Sequence, residues 1–400
     1  MHIYNAQLLT AAGFVRGGVT LRGGRITAIF EESPPSAGGE EQTANGHPSF
    51  DAHTLDAGGR VLCPGLIDLH VHGGNGADFM QGTPQAFATA GRAHLRHGTT
   101  TMLPTLACCP AEELPPIFEA FRGRDTDRLP RMPGIHLEGP YFAARQAGAL
   151  SPACLRNPDS AEYCALTEKY PEIFRWTFAP ELPGADAFLR HLLSVGILPS
   201  FGHTEADAAE IQRAARDGCR LACHLYSGMT LTHRVDAWRR AGAVEGCYLS
   251  PDTDAELIAD GCHLPHELLL LAYQIMGPDR LCLVTDAMAG AALEKAASHP
   301  PIFLGAGKAR QAVVIEDGVA KMPDRQAFAG SIATADRLVQ TAIAAGIPAF
   351  DALRMATATP ARIAGLSDRG TLTVGALADL VLFNEDFSVH SVFLGGAQVK

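Results

Sequence analysis

Short apolar runs recur through the middle of the chain, and most of them are followed by a helix-like segment. Eight such runs occupy residues 66–71, 99–103, 134–138, 175–179, 197–202, 221–225, 256–260 and 281–286. Helix signals cover 206–216, with a stop at Gly218, and 265–276, with a stop at Gly277. Strands that alternate with helices predict a parallel sheet, and this number of them favours a (β/α)8 barrel over the alternative, an open doubly wound sheet.

Both ends of the chain are rich in strand-like segments instead. These segments include 19–22 and 26–29 near the start, and 378–383 and 389–394 near the end. We therefore predict an α/β protein in which residues 1–62 and 371–400 form a small β-sandwich domain and residues 63–370 form the barrel. A β-hairpin insertion is expected near 302–322, and the segment 33–53, rich in Pro, Gly and Ser, is interpreted as a surface loop.

Composition and charge narrow the possible functions. The 400 residues are 47% hydrophobic and carry a net charge of −11, which is typical of a globular protein and disfavours binding to nucleic acid or to an anionic membrane. No apolar stretch reaches the ~18 residues of a membrane span, and the first residues lack a signal-peptide pattern. The ten Cys form no Cys-x-x-Cys pair. A cytoplasmic protein with reduced thiols is therefore expected.

Acidic and imidazole side chains concentrate where five of the apolar runs end. Side chains alternate along a strand, so two histidines two residues apart share a face and can bind one ion. Barrel enzymes place their chemistry at this end of the strands, and such ligands suit zinc and similar divalent ions. The residues concerned are His70, His72, Glu138, His203, His224 and Asp286.

Each of these residues alone has a simpler explanation. Glu138 could be the partner of an interior salt bridge, Asp286 could cap a following helix, and a single His-x-His pair is a weak signal. Four histidines and two acids at the same end of five strands would, however, be costly to bury without a shared role. The combination therefore predicts a metal site.

The motifs around these residues resemble those of the amidohydrolase superfamily and, within it, of the deacetylases of N-acetylglucosamine 6-phosphate and N-acetylgalactosamine 6-phosphate. PGLIDLHVHG at 64–73 resembles the first-strand motif of the superfamily, and HLEGP at 136–140 is more specific to these deacetylases. GHT at 202–204, HLYSGM at 224–229, IADGCH at 258–263 and TDA at 285–287 follow in the family's order, and GALADL at 375–380 is similar to a returning strand of the β domain.

The resemblance implies a role for each site residue. Glu138, His203 and His224 would hold the main metal, and His70 and His72 would hold a second ion that Glu138 bridges. One or two divalent ions, most simply Zn²⁺, are thus expected in each subunit. Asp286 is implied as the general base and acid, His263 as a sugar contact, and Ser227, Gly228 and Arg234 as phosphate contacts, with Arg234 acting in its own or a neighbouring subunit of a homodimer.

Two positions depart from the family pattern. The family usually has Gly-Ala-His soon after the Glu-Gly-Pro turn, and that His donates a hydrogen bond to the acetyl carbonyl, whereas this chain has Leu150 there. Ser227 also stands where the family usually has Asn. The implied activity is hydrolysis of N-acetylglucosamine 6-phosphate to glucosamine 6-phosphate and acetate. The alternatives are N-acetylgalactosamine 6-phosphate, another N-acyl or cyclic amide, or a metal-binding protein without catalysis.

Overall fold

The computed structural model describes residues 1–31, 54–293, 302–305 and 310–400. Within these residues the strands, in chain order, are β1 (His2–Thr10), β2 (Gly13–Arg22), β3 (Arg25–Glu31), β4 (Thr54–Asp56), β5 (Val61–Pro64), β6 (Leu66–Val71), β7 (Gly73–Gly74), β8 (Ala77–Asp78), β9 (Thr99–Leu106), β10 (Ile135–Glu138), β11 (Ile173–Phe178), β12 (Leu198–Phe201), β13 (Leu221–Ala222), β14 (His233–Val235), β15 (Trp238–Arg240), β16 (Asp254–Ile258), β17 (Leu281–Val284), β18 (Phe303–Leu304), β19 (Gln311–Ala312), β20 (Val314–Glu316), β21 (Val319–Lys321), β22 (Leu380–Phe383), β23 (Val389–Leu394) and β24 (Ala397–Gln398). The predicted loop 33–53 lies outside the described residues.

The helices alternate with the central strands. They are α1 (Pro84–Arg96), α2 (Leu114–Arg122), α3 (Ser160–Lys169), α4 (Ala185–Ser194), α5 (Ala208–Arg216), α6 (Ala243–Leu249), α7 (His266–Met276), α8 (Ala335–Ala344), α9 (Ala349–Met355) and α10 (Ala358–Ile363). The two helices predicted from their stop signals are α5 and α7, each within two residues of its expected bounds. None of the helices in the described ranges is long and apolar enough to cross a membrane.

An eight-stranded parallel sheet in the order β17-β16-β13-β12-β11-β10-β9-β6 confirms the predicted barrel. Its first and last strands meet through two backbone hydrogen bonds, from the Asp286 N–H to the His70 carbonyl (2.9 Å) and from the His72 N–H to the Ala287 carbonyl (2.8 Å). These bonds exclude the open doubly wound sheet. Strands covered by helices on one side and by the barrel interior on the other are buried on both faces, which explains their continuous apolar runs.

Local chemistry fixes where the surrounding helices start. At α5, the Asp207 side chain accepts hydrogen bonds from the first turn while the Glu210 side chain accepts one from the Asp207 N–H, which is a capping box. Ile211 on its inner face is fully buried. The helix is therefore held with one face against the core, and its preceding loop, which carries His203, is held with it.

A separate eight-stranded sheet contains strands from both ends of the chain, as predicted. Its order is β24-β23-β22-β5-β1-β2-β3, with β4 paired to β1. An ion pair joins this sheet to the barrel, because Arg131 Nε lies 2.5 Å from Asp379 Oδ2.

Where the 302–322 insertion was expected, the described residues form two short antiparallel pairs, β18 with β19 and β20 with β21. The division into domains at 62/63 and 370/371 remains a prediction.

Candidate active site

A cavity of about 300 Å³ opens at the end of the barrel where the parallel strands terminate. Glu138 is the last residue of β10, and the other ligand candidates that line the cavity follow the ends of β6, β12, β13 and β17 by one or two residues. These lining residues are His72, Glu138, His203, His224 and Asp286. The residues predicted as metal ligands therefore lie at the carboxyl ends of the barrel strands, and their role as ligands stays a prediction.

Three of these residues adopt left-handed backbone just after their strands. The φ angle is 47° at His203, 27° at His224 and 47° at Asp286. This conformation costs a residue other than glycine ~1–3 kcal/mol and persists only where the surrounding structure holds it. Such strain is common at functional sites, where it fixes the direction of a side chain.

Glu138 lies at the centre of the cluster. Its Oε1 is 3.0 Å from His224 Nε2, 3.2 Å from His203 Nε2 and 3.5 Å from His70 Nε2. Its Oε2 is 3.2 Å from His72 Nε2. One buried carboxylate therefore faces the imidazoles that three different strands supply.

Asp286 faces the same cluster from the end of β17. Its Oδ1 lies 3.2 Å from His72 Nε2 and 3.4 Å from His70 Nε2, and those two nitrogens are 3.2 Å apart. Asp286 also lines the cavity. Its carboxylate is thus within reach of both the histidine pair of β6 and anything bound in the cavity.

Burial and charge act in opposite directions on these groups. Burial disfavours protonation of His72, but hydrogen bonds and charges from Asp286 and Glu138 outweigh it and raise the pKa of His72 to about 10. The pKa of His224 rises in the same way to about 9, with Glu138 as the main partner. Burial raises the pKa of Glu138, but the charge of His70 and its histidine hydrogen bonds hold that pKa well below its usual range. The cluster therefore attracts positive charge, either protons or a metal ion.

The donor atoms fit a divalent metal. His203 Nδ1 lies 2.7 Å from the Gln146 carbonyl, and His224 Nδ1 lies 3.2 Å from the Ser227 carbonyl. A carbonyl can only accept, so each Nδ1 carries a proton, which leaves each Nε2, the nitrogen that faces Glu138, as the atom that would bind a metal ion, as is usual for metal-binding histidines. Two groups of side chains each bring their potential ligand atoms within 4.8 Å of one another. One group is His70, Glu138, Cys223 and His224, and the other is His70, His72 and Asp286.

The cavity is also lined by Ser227, Gly228 and His263, for which the resemblance implied substrate contacts. His263 Nδ1 lies 2.8 Å from Asp260 Oδ2, which fixes the orientation of its ring. At Gly228, φ is 59°, and a Cβ atom there would lie 2.9 Å from His203 Nδ1. Glycine at this position therefore leaves the metal-ligand candidate undisturbed.

Leu150 occupies the cavity wall where the family pattern has a histidine. It packs in a small apolar cluster with Ala107, Cys108, Phe142 and Cys154. Only 8% of Leu150 is exposed. The described side chains of this cluster include no amide, imidazole or charged donor for an acyl oxygen, as the sequence departure implied.

Arg234 does not line the cavity of its own chain. It lies on the exposed antiparallel pair β14–β15, opposite Arg239 and near Trp238, which is 75% exposed. Among the residues that the structure describes, no Lys or Arg lines the cavity. Within one subunit, Arg234 is therefore not brought together with the other predicted site residues.

Sequence reasoning missed a buried charged pair inside the barrel. Arg175 on β11 forms an ion pair with Glu256 on β16, and both side chains are fully buried. Burial raises the pKa of Glu256, but the charge of Arg175 holds that pKa well below the usual range. The available signal was a charged residue at the start of each of two apolar runs, 175–179 and 256–260, since a buried charge needs a partner. The cavity wall after β17, including Gln326 and Phe328, was also missed.

Comparisons with known proteins agree with this geometry. The sequence model of the amidohydrolase family matches residues 61–399. A curated N-acetylglucosamine-6-phosphate deacetylase from Danio rerio is 31% identical over 88% of this chain and 87% of its own length. An N-acetylgalactosamine-6-phosphate deacetylase from Shewanella sp. (strain ANA-3) is 30% identical over 84% of this chain and 82% of its own. The structure of a mutant N-acetyl-D-glucosamine-6-phosphate deacetylase from Mycobacterium smegmatis, in complex with N-acetyl-D-glucosamine-6-phosphate, superposes with a TM-score of 0.86 at 29% identity, covering 100% of this chain and 99% of that one.

Proposed function

The chain belongs to the amidohydrolase family, and we propose that it is a metal-dependent deacetylase that converts N-acetylglucosamine 6-phosphate and water to glucosamine 6-phosphate and acetate. The observation that carries this proposal is the convergence of four histidines on Glu138 at a cavity, with Asp286 against two of those histidines. The relatives described above bear the names of deacetylases of two amino-sugar phosphates, at nearly equal identity. The galactosamine epimer is therefore the alternative substrate.

Two divalent ions, most simply Zn²⁺, would share Glu138. His203 and His224 would complete one site, and His70 and His72 would complete the other. A bound ion of this kind lowers the pKa of water towards ~7 and polarises a carbonyl oxygen. Glu138 replaces the carboxylated lysine that many amidohydrolases use, since β11 contains no lysine.

Asp286 is proposed as the group that moves the proton. Burial raises its pKa, but the charges and hydrogen bonds of His70 and His72 lower it, so the carboxylate is ionised and can accept a proton. The attacking water transfers a proton to Asp286 as its oxygen bonds to the acyl carbon. The carbon–nitrogen bond then breaks, and the departing amine takes the proton back from Asp286.

Substrate binding is assigned to the remaining cavity residues. His263 would contact the sugar, and the backbone at Ser227 and Gly228 would lie near the phosphate. Leu150 offers no donor to the acetyl oxygen, and ions held by Glu138 and the four histidines would supply the polarisation of that oxygen. An N-acetyl group also has an apolar methyl that suits this wall.

A phosphate is bound best by a cation, and none of the described residues that line the cavity is a Lys or an Arg. We propose that Arg234 supplies it across the interface of a homodimer, because it lies on an exposed hairpin together with exposed apolar side chains such as Trp238. A guanidinium matches phosphate geometry with paired hydrogen bonds. A cytoplasmic location is also proposed, since all ten cysteines are free and small phosphorylated sugars are intracellular metabolites.

Acetate release from a panel of amides tests the proposed function. The panel contains N-acetylglucosamine 6-phosphate, its galactosamine epimer, unphosphorylated N-acetylglucosamine and a cyclic amide, each with Zn²⁺-loaded and chelator-treated enzyme. The proposal expects the highest kcat/KM for N-acetylglucosamine 6-phosphate and loss of activity with chelator. A preference for the unphosphorylated or cyclic amide would show that the substrate class is wrong.

A further inference from the structure

The buried pair of Arg175 and Glu256 contacts the candidate metal ligands from inside the barrel. Glu256 Oε2 lies 3.4 Å from His70 Nδ1 and accepts a hydrogen bond of 3.2 Å from the His224 backbone N–H. Both charged side chains are completely buried. A single carboxylate oxygen on β16 therefore touches a histidine of β6 and the backbone of the histidine that follows β13.

Arg175 holds that carboxylate in place. Its guanidinium pairs with Glu256 Oε1 and also donates to Ser200 Oγ at 2.9 Å and to the Leu69 carbonyl at 3.1 Å. Arginine does not give up its proton in proteins, so the carboxylate beside it is ionised and can only accept hydrogen bonds. Because Leu69 directly precedes His70, the hydrogen bond from Arg175 to its carbonyl also holds the backbone of β6 in place.

The two nitrogens of His70 therefore face different partners. Nδ1 faces Glu256, whereas Nε2 lies 3.5 Å from Glu138 and 3.4 Å from Asp286. When an ion takes the place of the proton at Nε2, the acceptor at Nδ1 keeps the remaining proton there, so the Nε2 lone pair faces the metal centre. His203 and His224 reach the same state through backbone carbonyls, whereas His70 depends on a side chain from another strand.

Cys223 is a competing neighbour of His70. Its Sγ lies 3.4 Å from Nδ1, so a thiol that donates to Nδ1 would move the proton to Nε2 and turn the wrong nitrogen towards the cavity. A thiol is a weak donor, and an ionised carboxylate is a strong acceptor. The carboxylate therefore decides the tautomer, and Cys223 fills space.

We propose that Glu256, held by Arg175, is a positioning residue that aims His70 at the second ion of the centre. The proposal rests on the proposed metal-dependent function and concerns only one of its two ion sites. Hydrogen-bond partners behind metal ligands of this kind typically contribute 10–100-fold to metal affinity. We expect a loss of that size for the second ion, and little change for the ion at Glu138, His203 and His224.

Two double variants separate positioning from folding. Removing one charge alone would leave the other buried and unpaired, whereas removing both leaves an uncharged interior, which proteins tolerate well. Arg175→Met with Glu256→Gln keeps an acceptor oxygen for His70 Nδ1, and Arg175→Met with Glu256→Met removes it. The two proteins differ only at position 256, so a difference between them reports the acceptor oxygen that His70 Nδ1 shares with the His224 N–H, and affinity at the first ion shows how much of it comes from His224.

The readouts are Zn²⁺ binding isotherms and the visible spectrum of the Co²⁺-loaded protein. Wild type and the double variant with Glu256→Gln should bind two equivalents of metal tightly. The double variant with Glu256→Met should bind the second equivalent about 10–100-fold more weakly, and its Co²⁺ spectrum should lack the absorption of the second ion. Cys223→Ala should bind both ions as wild type does. Equal second-site affinity in the two double variants, or loss of the second ion in Cys223→Ala, would overturn the proposal.

NMR of Zn²⁺-loaded wild type, with ¹⁵N-labelled histidine, decides the case even if the methionine variant does not fold. The proposal requires His70 to bind the ion through Nε2 with a proton on Nδ1, and His70 bound through Nδ1 or left unbound would overturn it. Acetate release by wild type reports the proposed function separately. An enzyme that deacetylates its substrate while both double variants keep the second ion would refute the role of Glu256 alone.

Discussion

The two halves of the proposed metal centre are held in place by different means. In one half, His203 and His224 each have Nδ1 against a backbone carbonyl of a nearby loop. In the other half, His70 Nδ1 faces the Glu256 carboxylate, and His72 Nδ1 has no hydrogen-bond partner among the residues that the structure describes. The first is called the backbone-anchored half and the second the network-anchored half.

This difference separates local from tertiary control of a ligand. The carbonyls of the backbone-anchored half belong to the chain itself, so no single side-chain substitution removes them. The network-anchored half depends on charged side chains from β11 and β16, which meet only when the barrel closes. We therefore expect the ion at His70 and His72 to be the one that substitutions, low metal concentration or partial unfolding remove first.

The largest effect is expected from the one group that both halves share. Glu138→Ala should release both ions and lower kcat/KM by at least about 10³-fold, because the charge stabilisation that the ions supply is lost with them. Elemental analysis and acetate release measure the two effects. Glu267→Ala, at an exposed position on α7, is the control and should keep both ions. Full metal content in Glu138→Ala would contradict the shared-ligand arrangement.

Asp286→Asn tests the proton-transfer step while it leaves both halves of the metal centre in place. The amide keeps the shape of the side chain but cannot accept the proton of water, so turnover should fall by about 10²–10⁴-fold. Metal content should change little, and this separates proton transfer from ion binding. Turnover close to wild type would mean that another group is the base.

Removing the network-anchored half directly should spare the other half. His70→Ala combined with His72→Ala should leave one bound ion, at Glu138, His203 and His224, and should lower turnover by about 10²–10³-fold, since Leu150 cannot polarise the acyl oxygen in place of the second ion. Elemental analysis and kcat report the result. A doubly substituted enzyme with full activity would show that the second ion is dispensable.

Arg234 extends the comparison beyond one chain. If it binds phosphate across a dimer, Arg234→Ala should raise KM for the 6-phosphate substrate by about 10–100-fold, the size of a charged hydrogen bond of ~1.5–3 kcal/mol. KM for unphosphorylated N-acetylglucosamine should not change. Arg239→Ala, on the same hairpin, is the matched control. An equal rise for both substrates would argue against phosphate recognition.

The smallest effect is a pH dependence of the metal-free protein. The folded-state pKa of His72 is raised from 6.5 to about 10, so its imidazolium contributes stability fully below about pH 6.5 and loses it as pH rises through about 10. Metal-free enzyme should therefore have a Tm several degrees lower near pH 9.5 than near pH 7. Zn²⁺-loaded enzyme should lack this loss, because the ion replaces the proton. The same decrease in Tm in the metal-free and the Zn²⁺-loaded enzyme would contradict this role of His72.

The sequence was sufficient to predict the barrel and the positions of many of the candidate site residues. Alternating apolar runs and helix stops predicted the order of strands and helices, and the position of polar residues at the strand ends predicted which side chains converge on Glu138. These features are local, because each follows from the spacing of residues within one strand or helix. The roles assigned to the converging residues remain predictions.

Contacts between distant strands could not be predicted in the same way. Nothing near Arg175 in the sequence indicates that its partner is Glu256, because the pairing depends on which barrel strands face each other across the interior. The position of Arg234 outside its own cavity was equally hidden, since residues close in sequence to His224 need not lie near it in space. Charges within apolar runs are the signal that would have directed attention to the buried pair.

One titration tests the central claim most directly. Ion-free enzyme is mixed with increasing Zn²⁺ while acetate release from N-acetylglucosamine 6-phosphate is measured. The account predicts little activity until the backbone-anchored half is filled, and full activity only as the second equivalent binds to the network-anchored half. Full activity at one equivalent, or in enzyme kept free of metal by chelator, would contradict it.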